Sequence, residues 1–293
     1  MFNISKKPKL PFYHGKPKTD TVCQTMPEPG SKDRILVLVA HPDDEWLSCF
    51  GFLERAVKNG ARVKVVIATL GEWSRAYSYL DSGRMKNFFA SLGKKRAKET
   101  LLAMKKIDLK NQDVVFLGYP GGHLQTIFKK NWVEAFFVNY LKSDKVIFDF
   151  AYEPGAVFSG ERLYESIKKI IFEFKPDTMI THSPLDVHKD HKTIYWLVKD
   201  SLEELKLKPE TYFFLIHNRG YSFSGKNALN HHLEPPKRFL RQEFAWHSFE
   251  LNKGELRDKK TSMLKYKTQL KNPYLNVLLN SFCKQNELFY SEK

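Results

Sequence analysis

At 293 residues, with 42% hydrophobic and 28% charged side chains, the chain has a globular composition and the length to bury a core in one large α/β domain or two small ones. Cys23, Cys49 and Cys283 are too widely spaced for a disulfide framework or a thiolate metal site. No apolar run approaches the ~18 residues of a membrane span. The net charge of +15 comes from lysines spread along the chain without a nucleic-acid reader motif, so specific nucleic-acid binding is not expected.

Residues 1–33 are basic and carry Pro8, Pro11, Pro17, Pro27 and Pro29, without the apolar stretch of a signal peptide. They read as a basic N-terminal extension, and 34–293 as a single domain whose segment 219–293 supplies completing elements. With so few cysteines, a reducing, cytoplasmic setting is the simpler expectation. Strand-like runs fall at 34–40, 62–70, 114–117, 178–181 and 211–217. Helical patterns fall at 45–59, ending before Gly60, and at 94–104, 160–174, 190–204 and 260–269. Residues 118–156 are less regular and a candidate substrate wall, and 219–259 resist assignment to helix or strand. Strands alternating with helices predict a Rossmann-like, doubly wound, mainly parallel sheet with helices on both faces.

The most informative stretch is His41-Pro42-Asp43-Asp44-Glu45, directly after the apolar run at 34–40. So continuous a run belongs to a central strand covered on both faces, and its carboxyl end is where open α/β sheets place their sites. Three carboxylates and an imidazole gathered there call for a cation, because like charges in contact resist joint ionisation. A second cluster, His182-Ser183-Pro184-Leu185-Asp186-Val187-His188-Lys189-Asp190-His191, follows the apolar run at 178–180. Imidazole and carboxylate without thiolate suit zinc, iron or another borderline divalent ion.

At these two motifs the chain resembles the LmbE/PIG-L-like family of zinc-dependent N-acetylglucosaminyl deacetylases. Ala40-His41-Pro42-Asp43-Asp44-Glu45 is similar to the family's first signature, and His188-Lys189-Asp190-His191, preceded by Pro176-Asp177, to its second. Thr69-Leu70-Gly71-Glu72, Arg96-Ala97-Lys98-Glu99, Leu117-Gly118-Tyr119-Pro120 and Glu287-Leu288-Phe289 are further matches. One departure is Phe50 before Gly51, where the family shows two glycines, a change expected to narrow the site or tilt the following helix.

The resemblance implies zinc, or another divalent ion such as Fe2+, held by His41, Asp44 and His191. It implies Asp43 as general base and Arg96 as a substrate contact. His188 is assigned oxyanion stabilisation and proton donation to the leaving amine, with Asp190 fixing its ring. The reaction so implied is removal of an acetyl group from an N-acetylglucosamine conjugate. The basic charge favours an anionic aglycone or a lipid-surface substrate. Glu45 is expected to orient the motif loop, and Arg219 to approach Asp43.

Each residue also has a plainer reading. Asp-Asp-Glu commonly just opens a helix, a helical Arg such as Arg96 commonly faces solvent, and Cys49 is more often a small core residue than a nucleophile. His123, His182 and His217 read as structural or pocket-lining, and His14, His231, His232 and His247 as surface residues. The alternatives to a deacetylase are an amidase for another N-acylated small molecule and a non-catalytic binding module stapled by metal. A nucleotide-binding Rossmann domain ranks last, because carboxylates replace the glycine-rich turn.

Overall fold

The computed structural model describes residues 23–73, 82–218, 221, 228–240 and 243–292; His14 and Arg219 lie outside them. In chain order the elements are β1 (Gln24–Thr25), β2 (Arg34–Val39), α1 (Asp44–Lys58), β3 (Arg62–Thr69), α2 (Ser82–Met104), β4 (Val114–Tyr119), α3 (Leu124–Lys130) and α4 (Gly160–Phe174). There follow β5 (Thr178–His182), α5 (Lys189–Leu205), β6 (Glu210–Phe214), β7 (Phe244–Glu250), α6 (Lys253–Met263), α7 (Lys267–Leu270), α8 (Pro273–Ser281) and β8 (Asn286–Glu292).

The strands form one sheet in the order β1-β7-β8-β6-β5-β2-β3-β4, in which β8 runs against its neighbours β6 and β7 and the other pairs are parallel. Ile35, Leu36, Val37, Leu38 and Val39 are fully buried, as an all-apolar central strand requires. Val37 lies opposite Val65 of β3 on one side and Ile180 of β5 on the other. From β2 the chain winds outward through β3 and β4, then returns to the far side of β2 to form β5 and β6. The order therefore reverses between β2 and β5, and the loops leaving their carboxyl ends part to leave a crevice.

Helix α6 packs on α1 and on α2, helices α3, α4 and α5 pack on one another, and both groups reach β2, so the sheet is covered on both faces. The basis of α4 is local. Ser159 Oγ accepts from Arg162 N at 3.2 Å, while Leu163, Ile167, Ile170 and Ile171 form one buried stripe. Lys175, in a left-handed conformation, ends the helix.

The C-terminal third departs from expectation. The single helix foreseen at 260–269 is instead α6, which begins earlier at a capping box of Asn252 and Glu255, and a separate short α7. Tyr266 N bonds back to Met263 O between them and its ring is buried. Neither β7 nor β8 was foreseen. His247, expected at the surface, is buried where β7 pairs with both β1 and β8, and its Nε2 lies 3.0 Å from Ser291 Oγ. Part of the basic extension joins the sheet as β1, with Met26 in the core. Among the described residues, no helix is long and apolar enough to cross a membrane.

Candidate metal centre and active site

Both clusters sit at the β2/β5 crevice. His41 follows β2, Asp44 opens α1, His182 ends β5, His188 caps α5, and His191 lies in the first turn of α5. His41 Nδ1, Asp44 Oδ2 and His191 Nε2 form a triangle with sides of 3.3, 3.4 and 3.2 Å. An ion bonded tetrahedrally at ~2.0–2.1 Å has ligands about 3.3–3.4 Å apart, so these three atoms fit a zinc-sized ion and leave a fourth position open.

The far nitrogen of each imidazole meets a carboxylate. His41 Nε2 lies 3.2 Å from Asp190 Oδ2, and His191 Nδ1 lies 3.1 Å from Asp186 Oδ2. These carboxylates are themselves fixed by backbone N–H groups. Asp190 accepts from Gly122 at 2.6 Å and Leu124 at 3.2 Å; Asp186 accepts from His188 at 2.8 Å and from Ile216 and His217 at 3.0 Å. Backing of this kind selects the tautomer that presents a lone pair inward.

The electrostatics point the same way. Burial works to lower the pKa of His41, but Asp190 and Asp44 outweigh it and raise it to about 9. At His191 burial is likewise overcome, by Asp44 and Asp186, and the pKa rises to about 10. Asp44 stays well below the carboxylate range: burial alone would raise it, but His191 and His182 hold it down. Three buried carboxylates around two imidazoles thus draw positive charge inward, which a divalent ion supplies.

His182 and His188 offer two further donor sets with His191. One nitrogen of each ring is already engaged. His182 Nε2 receives Ala40 N–H at 2.9 Å, and its ring stacks on His191 at 3.8 Å between centroids. His188 Nδ1 receives Asp190 N–H at 3.3 Å, which leaves Nε2 as the N–H nitrogen of a neutral ring. Burial, reinforced by His191 and His41, drives the pKa of His188 down to about 2. The carboxylate of Asp190 therefore goes to His41 and not to His188, the partner expected for it; only its backbone N–H meets His188.

Asp43 has φ 104°, a left-handed conformation rare for a side chain larger than glycine and typical of strained functional turns. The turn separates the two adjacent carboxylates: Asp44 faces the imidazoles, while Asp43 Oδ2 lies 3.2 Å from Arg96 Nη2. Burial, opposed by Arg96, raises the pKa of Asp43 to about 7. Arg96 also donates to Gly71 O, and to Pro42 O at 2.8 Å. In the amide orientation that satisfies both its ends, Gln269 accepts from Arg96 Nε and Nη2, each at 3.2 Å. The guanidinium, expected on substrate, is thus engaged by the motif loop, although it also borders the cavity. Gly71 permits this approach, since a Cβ there would stand 2.5 Å from Arg96 Nη1.

Helix α1 is not continuous. Cys49 leaves helical geometry at φ −147°, and the freed Gly51 and Phe52 N–H groups donate to Glu287 of β8, each at 2.9 Å. Lys259 Nζ ties Glu287 Oε1 at 2.6 Å to Leu47 O at 3.3 Å. Phe50 at this break is fully buried. Glu45 orients the loop as expected, accepting from Asp43 N at 3.0 Å and Tyr266 OH at 2.7 Å.

A cavity of about 900 Å³ opens over the triangle, bordered by His188, His217, Glu72, Trp73 and α8. Glu72 accepts from Tyr140 OH at 2.8 Å and Gly121 N at 3.2 Å through Oε1, while its buried Oε2 has no partner. Sequence reasoning did not single out Asp186, Glu72 or Tyr274 as site residues. For Asp186 the signal was available, since it stands within the second motif.

A family model described as PIG-L, GlcNAc-PI de-N-acetylase, matches residues 36–202. The chain belongs to the PIG-L family. Among curated PIG-L-like relatives, the 1D-myo-inositol 2-acetamido-2-deoxy-alpha-D-glucopyranoside deacetylase of Corynebacterium glutamicum is 27% identical over 190 residues, covering 59% of this chain. The chain spans 58% of that relative's length. The solved structure of an antimicrobial pseudoaglycone deacetylase aligns at a TM-score of 0.54 and 17% identity, over 88% of this chain and 96% of that one. The zinc-inhibited form of a teicoplanin deacetylase aligns at 0.53 and 17%, over 88% and 97%. At such identities these two likenesses are of fold.

Proposed function

We propose that this PIG-L family protein is a metal-dependent N-deacetylase that removes the acetyl group of an N-acetylglucosamine-type conjugate. The observation that carries the reading is the triangle of His41 Nδ1, Asp44 Oδ2 and His191 Nε2, with a fixed carboxylate behind each imidazole and a second carboxylate, Asp43, turned aside from it. Family membership and the deacetylase names of the relatives support it.

His41, Asp44 and His191 would hold the ion, zinc by the donor set. When bound, a divalent ion polarises the acyl oxygen and lowers the pKa of water toward neutrality. Asp43, one of whose oxygens is engaged by Arg96, accepts the proton of the attacking water. His188, a neutral ring with Nε2–H free, donates to the carbonyl oxygen as it gains charge. The amide C–N bond then breaks, acetate forms, and the amine leaves with the proton that Asp43 took from the water. Glu72 Oε2, buried and without a partner, accepts from a sugar hydroxyl.

The test is acetate release by zinc-loaded protein across N-acetylglucosamine conjugates at checked zinc occupancy. Asp43→Asn is expected to keep the zinc and abolish turnover. Silence across the panel with zinc bound would move the reading to another N-acyl substrate or a binding role.

A further inference from the structure

The cavity has two unlike walls. One wall is built by α7 and α8, and its polar side chains make bonds within the protein. Thr268 Oγ1 and N bond Glu99. Gln269 bonds Arg96 and, at 2.8 Å, Glu99. Asn272 Oδ1 caps α8 by accepting from Tyr274 N at 3.0 Å and Leu275 N at 3.1 Å. The other lining residues of α8 are mainly apolar, Tyr274, Leu275 and the buried Leu278, and Val187 joins them in the lining. Tyr274 is 55% and Val187 59% exposed, so this apolar surface continues from the metal triangle out to solvent. Tyr274 is also held in place, its OH 3.2 Å from His217 Nδ1 and its ring nearly parallel to the imidazole.

Charge does not call for an anionic occupant on this wall, since α7 and α8 contribute no Lys or Arg to the described lining. Among the described lining residues, the cations are Arg96 and Lys189, and Arg96 is engaged by the motif loop. Four carboxylates, Asp43, Asp44, Glu72 and Asp190, border the same space. The basic charge of the chain is therefore carried elsewhere. A ligand group leaving the cavity past α8 meets apolar surface.

We propose that Tyr274, Leu275, Leu278 and Val187 form a subsite for an apolar, uncharged aglycone, an alkyl or aryl group attached to the amino sugar. The subsite rests on the deacetylase reading for the identity of the sugar, and on the wall itself for the chemistry of the attached group. Desolvating such a group against these side chains tightens substrate binding, so the preference appears mainly in KM.

The test uses the zinc-loaded full chain with the methyl and hexyl glycosides of N-acetylglucosamine and with N-acetylglucosamine 1-phosphate. The expected result is a kcat/KM for the hexyl glycoside about 10-fold above that for the methyl glycoside, with the phosphate poorest. Leu275→Asn is expected to bring the hexyl-to-methyl ratio toward one. Val277→Ser, on the exposed face of α8 and outside the cavity lining, keeps the ratio. Equal rates for hexyl and methyl glycosides, or a preference for the phosphate, overturn the subsite and leave the deacetylase reading standing. If no glycoside releases acetate, that reading fails, and calorimetric binding decides the wall alone. Tighter binding of the hexyl glycoside then supports the subsite, and equal or absent binding overturns it.

Discussion

Asp190 Oδ2 lies 3.2 Å from His41 Nε2 across 149 residues of sequence, and so joins the two halves of the site directly. Asp186 does the same for His191 from within one motif. Carboxylates in such positions raise the basicity of the ligating nitrogen and hold its ring. Asp190→Asn and Asp186→Asn are each expected to weaken metal affinity by about 10–100-fold, measured by competition with a chromophoric chelator. Unchanged affinity in both would remove the two imidazoles from the ligand set.

Arg96 bonds two carbonyls and the Asp43 carboxylate from a nearly buried position. Removing one partner of such a pair leaves a charge uncompensated. Arg96→Met is expected to lower unfolding stability by about 3–5 kcal/mol in denaturant titration, and turnover with it. Arg96→Lys recovers little, because an ammonium cannot span three acceptors as a planar fork does. A Met variant with native stability and a raised KM alone would return Arg96 to the role of substrate contact.

Glu72 has its pKa raised, chiefly by burial. A carboxyl whose folded-state value lies above its unfolded value binds more protons when folded, so its contribution to stability falls as pH rises from the ordinary carboxylate range to the folded value. Glu72→Gln removes that penalty. The variant is expected to lose less stability than the native protein between acid and neutral pH, while kcat/KM falls through loss of a carboxylate acceptor. Identical pH–stability curves would show that the carboxyl carries no such penalty.

Cys49 is fully buried, and burial, followed by the nearby Glu287, raises its thiol pKa far above the usual range. No nucleophilic thiolate is expected there. Cys49→Ala should turn over at close to the native rate, and mass spectrometry should find Cys49 unalkylated until the protein is unfolded. Inactivation by stoichiometric labelling at Cys49 would contradict this.

The parts of the fold legible in sequence are those whose physics is local. The apolar runs of β2, β3 and β5 and the capped, striped α4 are visible because hydrophobic period and end signals lie within one segment. Strand β8 was not legible, since its Asn286 and Glu287 are polar residues buried by partners more than 25 positions away, Leu233, Lys259 and the N–H groups of α1. For the same reason both motifs could be located while the partner of Asp190 could not: a carboxylate near two histidines in sequence does not disclose which ring it faces. His182 gave a fairer signal as the last residue of a buried strand. Its stacking on His191 emerges only when β5 and α5 are folded together.

The bond between Glu287 and the broken first helix spans 236 residues. During synthesis the carboxylate that receives the free N–H groups of α1 is made more than 230 residues after them. Domains fold as their sequence becomes available, so an incomplete nascent chain carries the donor residues on a loop with nothing behind it. A chain halted before β8 would lack the acceptor for these N–H groups, so the break in α1 is completed only after Glu287 has been made.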